Sequence, residues 1–272
     1  MSRRDLILRE LGLTPLWVPR RQTLETVAEA PAVESVPAAS GHSPLVASDV
    51  PSAVPRPAPR VSHQAPQTAA AADDRAARVA RMDWPALKDA VRGCTACSLH
   101  AARKQAVFGV GDEQADWLFV GEGPGAEEDA RGEPFVGQAG RLLDNMLAAI
   151  GLKRGQDVYI ANVVKCRPPG NRVPEPQEAA QCEPFLLRQI ALIRPRLIVA
   201  LGKTAAANLL RTEASLGSLR GRLHDFHGTP VLVTYHPAYL LRSLTDKAKS
   251  WEDLCLAVDT MRALKAQQGA QI

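Results

Sequence analysis

Four short apolar runs, at 117–120, 158–164, 197–201 and 231–235, restrict this chain more than any other feature. Each is too short to be a helix. Their Val, Ile, Leu and aromatic content, without polar alternation, reads as strands buried on both faces. Between them, at 138–150, 176–193 and 203–211, apolar residues recur at helical spacing. Alternation of buried strands with helices predicts an α/β fold whose parallel sheet is covered on both sides. Asp83 before Trp84-Pro85 predicts the cap of a helix ending at Gly93. A last helix over 246–266 is expected to pack Trp251, Leu254, Val258, Met261 and Leu264 into the core, with Cys255 as a small buried residue.

In open parallel sheets ligands bind beyond the carboxyl ends of the strands. The first strand is followed there by GEGPGAEEDARGEPFVGQAG, residues 121–140. Gly121, Gly123 and Gly125 let backbone N–H groups approach a ligand closely. Glu122, Glu127, Glu128 and Asp129 follow, then Phe135. Carboxylates beside a flat aromatic suit a small planar polar ligand. Gly121-x-Gly123-x-x-Ala126 also fits a dinucleotide fingerprint, but the acidic run opposes a pyrophosphate. Gly202-Lys203-Thr204 resembles the end of a P-loop, yet Leu197 stands where the first glycine is required.

Asn162 closes the second apolar run, and its amide offers both a donor and an acceptor to the edge of a base. Fastening two loops is the plainer role for such a residue. His236 follows the fourth run, where a neutral imidazole is placed to donate to an oxygen gaining negative charge, or simply to cap the next turn. After it, Leu240 and Leu241 are candidates to wedge into a base stack, with Arg242 on a phosphate. His224 and His227 read as surface residues of a polar hairpin.

The chain has five cysteines. Cys94-Thr95-Ala96-Cys97 lies in a turn after a helix; Cys166 follows a strand, and Cys182 lies in the helix beyond. Four thiolates from two distant segments suit a 4Fe–4S cluster or a structural zinc. Zinc ribbons prefer two C-x-x-C knuckles, and the wide second pair here favours iron–sulfur. Between Cys166 and Cys182, the proline-stiffened loop carrying Arg167 and Arg172 is a candidate to meet a phosphate backbone.

The net charge of +4 is compatible with nucleic acid without requiring it. The start, MSRRDLILRELGL, is interrupted by Arg9 and Glu10 and does not read as a secretory signal. No run approaches the ~20 apolar residues needed to span a bilayer. A cytoplasmic monomer without a membrane partner is expected. Residues 1–20, with Leu11 and Trp17, read either as a docking peptide for a protein partner or as a frayed start to the fold. Residues 21–82 are rich in alanine and proline, and they read as a disordered linker before a domain at 83–266.

Taken together, Cys94-x-x-Cys97, GEGPGAEED (121–129), PFVGQAG (134–140), YIANVVKCRPPGNR (159–172), Cys182, LIVALG (197–202) and YHPAYLLR (235–242) resemble the family 4, iron–sulfur uracil-DNA glycosylases, in the family's order. The resemblance spans about residues 84–265 and leaves 1–80 outside. It implies a three-layer α/β/α sandwich with a central four-stranded parallel sheet. It implies a structural 4Fe–4S cluster on Cys94, Cys97, Cys166 and Cys182, and uracil-containing DNA as substrate. Phe135 would stack on the flipped uracil, Asn162 would bond its polar edge, and His236 would face its O2. Glu122 and Glu128 would line the pocket near the sugar and C5, and the 236–242 loop would enter the DNA. A non-catalytic iron–sulfur module that binds nucleic acid, a nucleotide-dependent oxidoreductase, and a glycosylase for another deaminated base are the competing readings.

Overall fold

In a computed structural model of the chain, residues 69–269 are described. The peptide expected at 1–20 and most of the 21–82 linker lie outside them. Helix α1 spans Ala69–Val79 and α2 spans Trp84–Arg92. Asp83 caps α2 by accepting from the Ala86 N–H at 3.0 Å. A two-residue strand β1, Val110–Gly111, precedes β2, Trp117–Gly121. Then come α3 (Ala126–Arg131), α4 (Gln138–Ala149), β3 (Val158–Asn162), α5 (Pro176–Ile193), β4 (Leu197–Leu201) and α6 (Lys203–Leu210). The chain ends with α7 (Leu216–Leu219), the hairpin β5 (Leu223–Phe226) and β6 (Thr229–Thr234), α8 (Pro237–Leu240) and α9 (Asp246–Gly269).

The sheet runs in the order β1-β3-β2-β4-β6-β5. Its four inner strands are parallel and coincide with the four apolar runs. The edge strands β1 and β5 pair antiparallel and make the sheet six-stranded and mixed, where four strands were expected. Both were missed because β1 is two residues long and β5, Leu-His-Asp-Phe, is half exposed and has no apolar run.

The inner strands are hydrophobic throughout because each face has its own core. Leu118, Val120, Tyr159, Ala161, Ile198, Ala200, Val231 and Val233 point to one side, against residues of α2, α5 and α6 such as Leu87, Phe185 and Ala206. Trp117, Phe119, Val158, Ile160, Leu197, Val199, Leu201 and Leu232 point to the other, against Leu143 and Leu147 of α4 and Ala257 and Met261 of α9. The alternation is the period of two that a pleated strand imposes, and the result is the three-layer sandwich.

The chain crosses from β2 to β3 on one side and then over β2 to β4 on the other. That reversal puts a crevice at the carboxyl end of β2, where the glycine-rich loop begins. In-register pairing of Gly121 with Asn162, and of Leu201 with Thr234, brings the strand ends level.

Three expectations are corrected. The ordered chain begins before residue 83: α1 occupies part of the stretch read as linker, and its Val79 is buried. Alanine-rich composition hid it, although alanine is the best helix former. Cys255 is exposed rather than buried. Trp251 is 48 % exposed, because the buried stripe of α9 runs through Leu254, Ala257 and Met261 instead. Among the described residues no helix is long and apolar enough to cross a membrane.

Phe119 sits in the middle of β2 with no exposure. Phe119→Ala should cost about 3–5 kcal/mol of stability, read as a lower midpoint in urea unfolding at unchanged slope.

Candidate active site

The level strand ends open into a cleft of about 530 Å³ lined by Glu122, Gly123, Gly125, Glu128, Phe135, Asn162, His236 and Arg242. Residues from three strand ends therefore share one pocket. Pro168, Val173 and Tyr239 also line it, and nothing in the sequence pattern singled them out.

Asn162 forms the floor. It is 2 % exposed, and its Oδ1 is buried without a hydrogen-bond partner. Only one other buried side-chain oxygen among the described residues is in that state, Asp253 Oδ1, whose sister oxygen accepts from Arg220 at 2.7 Å. Gly121 explains the close approach. A methyl there would lie 2.5 Å from Asn162 Oδ1 and 2.6 Å from Phe135 Cζ, so only glycine leaves the amide and ring in place.

Phe135 has φ +54°, a left-handed conformation that a bulky residue holds only under constraint. The constraint comes from Arg154, which sequence reasoning missed. Its Nη1 and Nη2 donate to the Pro134 and Phe135 carbonyls, each at 2.8 Å. Asp144 holds the same guanidinium through Nε at 3.0 Å. From the other side, Gly140 of α4 lies against the Phe135 carbonyl so closely that any side chain would collide with it.

Glu128 lines the cleft, but its carboxylate is occupied. One oxygen accepts from the Val136 and Gly137 N–H groups at 2.9 and 3.1 Å, the other from Gly125 at 3.1 Å. It braces the two ends of the loop that carries Phe135. Glu122 lines the cleft, and one of its oxygens accepts from the Thr204 hydroxyl at the start of α6. Asp129 is buried and accepts from the Lys104 N–H at 2.8 Å, outside the cleft.

His236 caps α8: its Nδ1 accepts from the Ala238 N–H at 3.2 Å. The proton of the neutral ring is therefore on Nε2, which is left as a donor. The ring lies 5.5 Å from that of Phe135. Burial, with Arg242 nearby, pulls its pKa down to about 4, and Glu128 only partly opposes this. At neutral pH it is an uncharged N–H donor facing the cleft.

The residues expected to meet DNA divide. Arg242 is at the cleft and Leu241 is 39 % exposed, but Leu240 is 1 % exposed and packs inward, so it is no wedge. The stacked ring of Tyr239, 5.2 Å from Tyr235, takes the outward position with Leu241. Arg172 lines the cleft as well, already paired with a carboxylate. Its guanidinium donates twice to the Glu178 carboxylate, at 2.8 and 2.7 Å. Arg167 donates to Asn171 Oδ1 at 2.8 Å in the same loop.

Behind the cleft, Cys94, Cys97, Cys166 and Cys182 line one small cavity with Lys165. All five cysteines of the chain are unbridged. Among the described residues no group of three or more Cys, His, Asp or Glu converges as the ligands of a single ion would. Three of the four sulfurs accept N–H donors. Arg103 reaches Cys166 Sγ at 2.9 Å, the Lys165 N–H reaches Cys182 Sγ at 3.2 Å, and Arg75 of α1 reaches Cys94 Sγ at 3.7 Å. Burial pushes the Cys182 thiol up to about 12 and raises Cys166, against the pull of Arg103.

Residues 108–255 match the model of the uracil DNA glycosylase superfamily. A type-4 uracil-DNA glycosylase of Thermotoga maritima is 48 % identical over 165 residues, which is 60 % of this chain and 85 % of that protein. One from Archaeoglobus fulgidus is 47 % identical over 166 residues, 57 % and 83 % of the two chains. A type-5 uracil-DNA glycosylase of Pyrobaculum aerophilum is 32 % identical over 146 residues, 48 % of this chain and 64 % of that protein.

The depressed pKa of His236 has a pH signature. Between its ordinary 6.5 and about 4, the unfolded chain takes up a proton that the folded ring refuses. Its contribution is thus constant above pH 6.5 and turns against folding as pH falls through that window. The ring proton signal of His236 in NMR should show no titration between pH 6 and 8, and uracil release should show no inflection from this group there. A midpoint near 6.5 would contradict the burial argument.

Proposed function

The chain belongs to the uracil DNA glycosylase superfamily as a type-4 member, and we propose that its cleft takes up uracil flipped from DNA and releases it by hydrolysis of the N-glycosidic bond. One observation carries the assignment of roles: the orphaned Oδ1 of Asn162 lies on the floor of a cleft whose other walls are an aromatic ring and a neutral N–H donor. Uracil presents a ring N–H flanked by two carbonyl oxygens. Asn162 Oδ1 accepts that N–H, which removes the unsatisfied buried acceptor. Its amide N–H then faces one carbonyl and His236 Nε2–H the other. Phe135 lies flat against the ring. Cytosine has a lone pair at the same ring nitrogen, and it would leave the Asn162 oxygen unpaired.

The chemistry follows from charge. The target base must leave the stack at a cost of a few kcal/mol. As the glycosidic bond lengthens, the sugar becomes cationic and the departing base anionic. A fixed donor in a dry pocket acts on that anion without reorganising, and one such donor is worth about 3–4 kcal/mol. His236 suits the task because it is neutral beforehand. A charged imidazolium would bind the ground state too. Glu122, which lines the cleft, is the carboxylate placed to favour the cationic sugar, and Glu128 acts as a positioning residue for Phe135. Water then adds to the sugar, leaving free uracil and an abasic site. Arg242 and Leu241 at the mouth are the side chains we assign to the DNA backbone and the vacated stack.

The four cysteines line one cavity and three of their sulfurs receive N–H donors, which fits a thiolate-bound iron–sulfur cluster. Cys94, Cys97, Cys166 and Cys182 would hold it, and it would supply cross-linking of three segments behind the cleft. No step of base release passes through it.

His236→Ala should slow single-turnover release of uracil from an oligonucleotide by about 100-fold or more. Asn162→Ala should lower the rate as well and loosen the choice of base. Uracil-, hypoxanthine- and thymine-containing DNA, scored for abasic sites, reads both; wild-type rates in the two variants would overturn the assignment. Cys182→Ser should lose iron and sulfide and melt at lower temperature. One zinc per wild-type chain, in a colourless protein, would replace the cluster by the ion.

A further inference from the structure

Lys165 is among the largest fully buried side chains of the fold, 1 % exposed. Its ammonium donates to the Asn162 carbonyl at 2.8 Å and to Gln189 Oε1 at 2.6 Å. Gln189 is itself fully buried and fixed by donating to the Phe108 carbonyl at 2.9 Å. Both acceptors are neutral, and among the described residues Lys165 has no carboxylate ion pair. Burying an ammonium without an opposite charge costs several kcal/mol. The acidic groups that do face it are the Cys166 and Cys182 thiols, which share its cavity. The Lys165 backbone touches the same centre, since its N–H donates to Cys182 Sγ.

We propose that Lys165 is a positioning residue for base recognition, which balances the negative charge of the four-cysteine centre with its ammonium while holding the end of β3, and with it Asn162, through the same group. The proposal rests on the reading that these cysteines hold an anionic iron–sulfur cluster. One residue then spans the distance between a centre that does no chemistry and the amide that grips the base. Recognition and centre meet within five consecutive positions: Asn162 reads the base, Lys165 holds it, and Cys166 belongs to the centre. Without the ammonium, the Asn162 carbonyl loses its donor, and the amide at the floor of the cleft loses its fixed height. Without negative charge in the cavity, the ammonium has nothing to offset its burial.

Two variants of the full-length holoenzyme separate the roles. K165M removes both charge and donor; K165Q removes the charge but keeps an N–H donor on a side chain one bond shorter. In K165M, single-turnover uracil release at saturating DNA should fall by about tenfold or more, with the Kd for DNA unchanged within about twofold. The midpoint potential of the centre should shift negative in both variants, because a nearby positive charge favours the reduced cluster. K165Q should keep most of the release rate. A wild-type rate in K165M overturns the proposal whatever the potential does. A slowed K165M with an unmoved potential overturns the link to the centre, and a rate loss explained by weaker DNA binding overturns the positioning. If K165M does not fold, K165Q carries the charge test: an unmoved potential overturns the proposal, and iron loss at wild-type helix content supports it. Iron and sulfide assays on the wild type test the cluster reading separately, so its failure is distinguishable from that of Lys165.

Discussion

A single buried oxygen without a partner organises the functional end of this fold. Leaving such an acceptor unpaired costs about 1–3 kcal/mol, and proteins avoid it almost everywhere. Here the Asn162 Oδ1 is kept dry by the Phe135 ring and the bare backbone of Gly121. No protein N–H is supplied to it, although several lie within a few residues. In the function we propose, the N–H of the bound base offsets that cost. On that proposal, recognition sits in the end of β3 itself, a strand paired with β2 up to Asn162.

The surrounding residues hold the geometry of the cleft. Glu128 spends both carboxylate oxygens on the backbone of its own loop. Arg154 keeps the Phe135 backbone in a left-handed conformation that it would not hold alone. Gly121 leaves space beside the Phe135 ring, and Gly140 lets α4 approach the Phe135 carbonyl. His236 is fixed through Nδ1 and so presents one tautomer. Each constraint takes away freedom that would otherwise have to be lost during catalysis, which is how preorganised sites lower a barrier.

The cysteine cavity lies behind this site, and its surroundings are cationic. Arg103, Lys165 and Arg75 direct N–H groups at three of the four sulfurs. Arg75 comes from α1, before the part of the chain shared with the superfamily model. The same guanidinium donates to the Gln181 carbonyl at 2.8 Å and lies over the Phe185 ring at 4.8 Å. A helix that precedes the matched residues, as Cys94 and Cys97 also do, thus supplies a donor to the cysteine cavity.

Much of the architecture was legible in the amino-acid order. Period-two burial and helical spacing are local, so the four inner strands and five of the longer helices could be read from short windows. The short motifs at the strand ends named Gly121, Phe135, Asn162 and His236, because sheet topology obliges strand ends to converge. What local order could not convey was direction and partnership. Leu240 and Leu241 are adjacent and chemically alike, yet one enters the core and the other meets solvent, since a helical turn rotates neighbours by about 100°. Arg172 resembles a phosphate binder until Glu178, six positions on, is seen to occupy it. Arg154 and Lys165 carry no motif of their own; their importance comes from carbonyls brought within hydrogen-bond reach by the folded backbone. The sequence by itself determined the layers, the strand ends and the residue types gathered there, because these follow from hydrophobic period and backbone chemistry. The tertiary structure alone decided which polar groups are already satisfied and which remain open to a ligand, because that depends on distances between segments far apart in the chain.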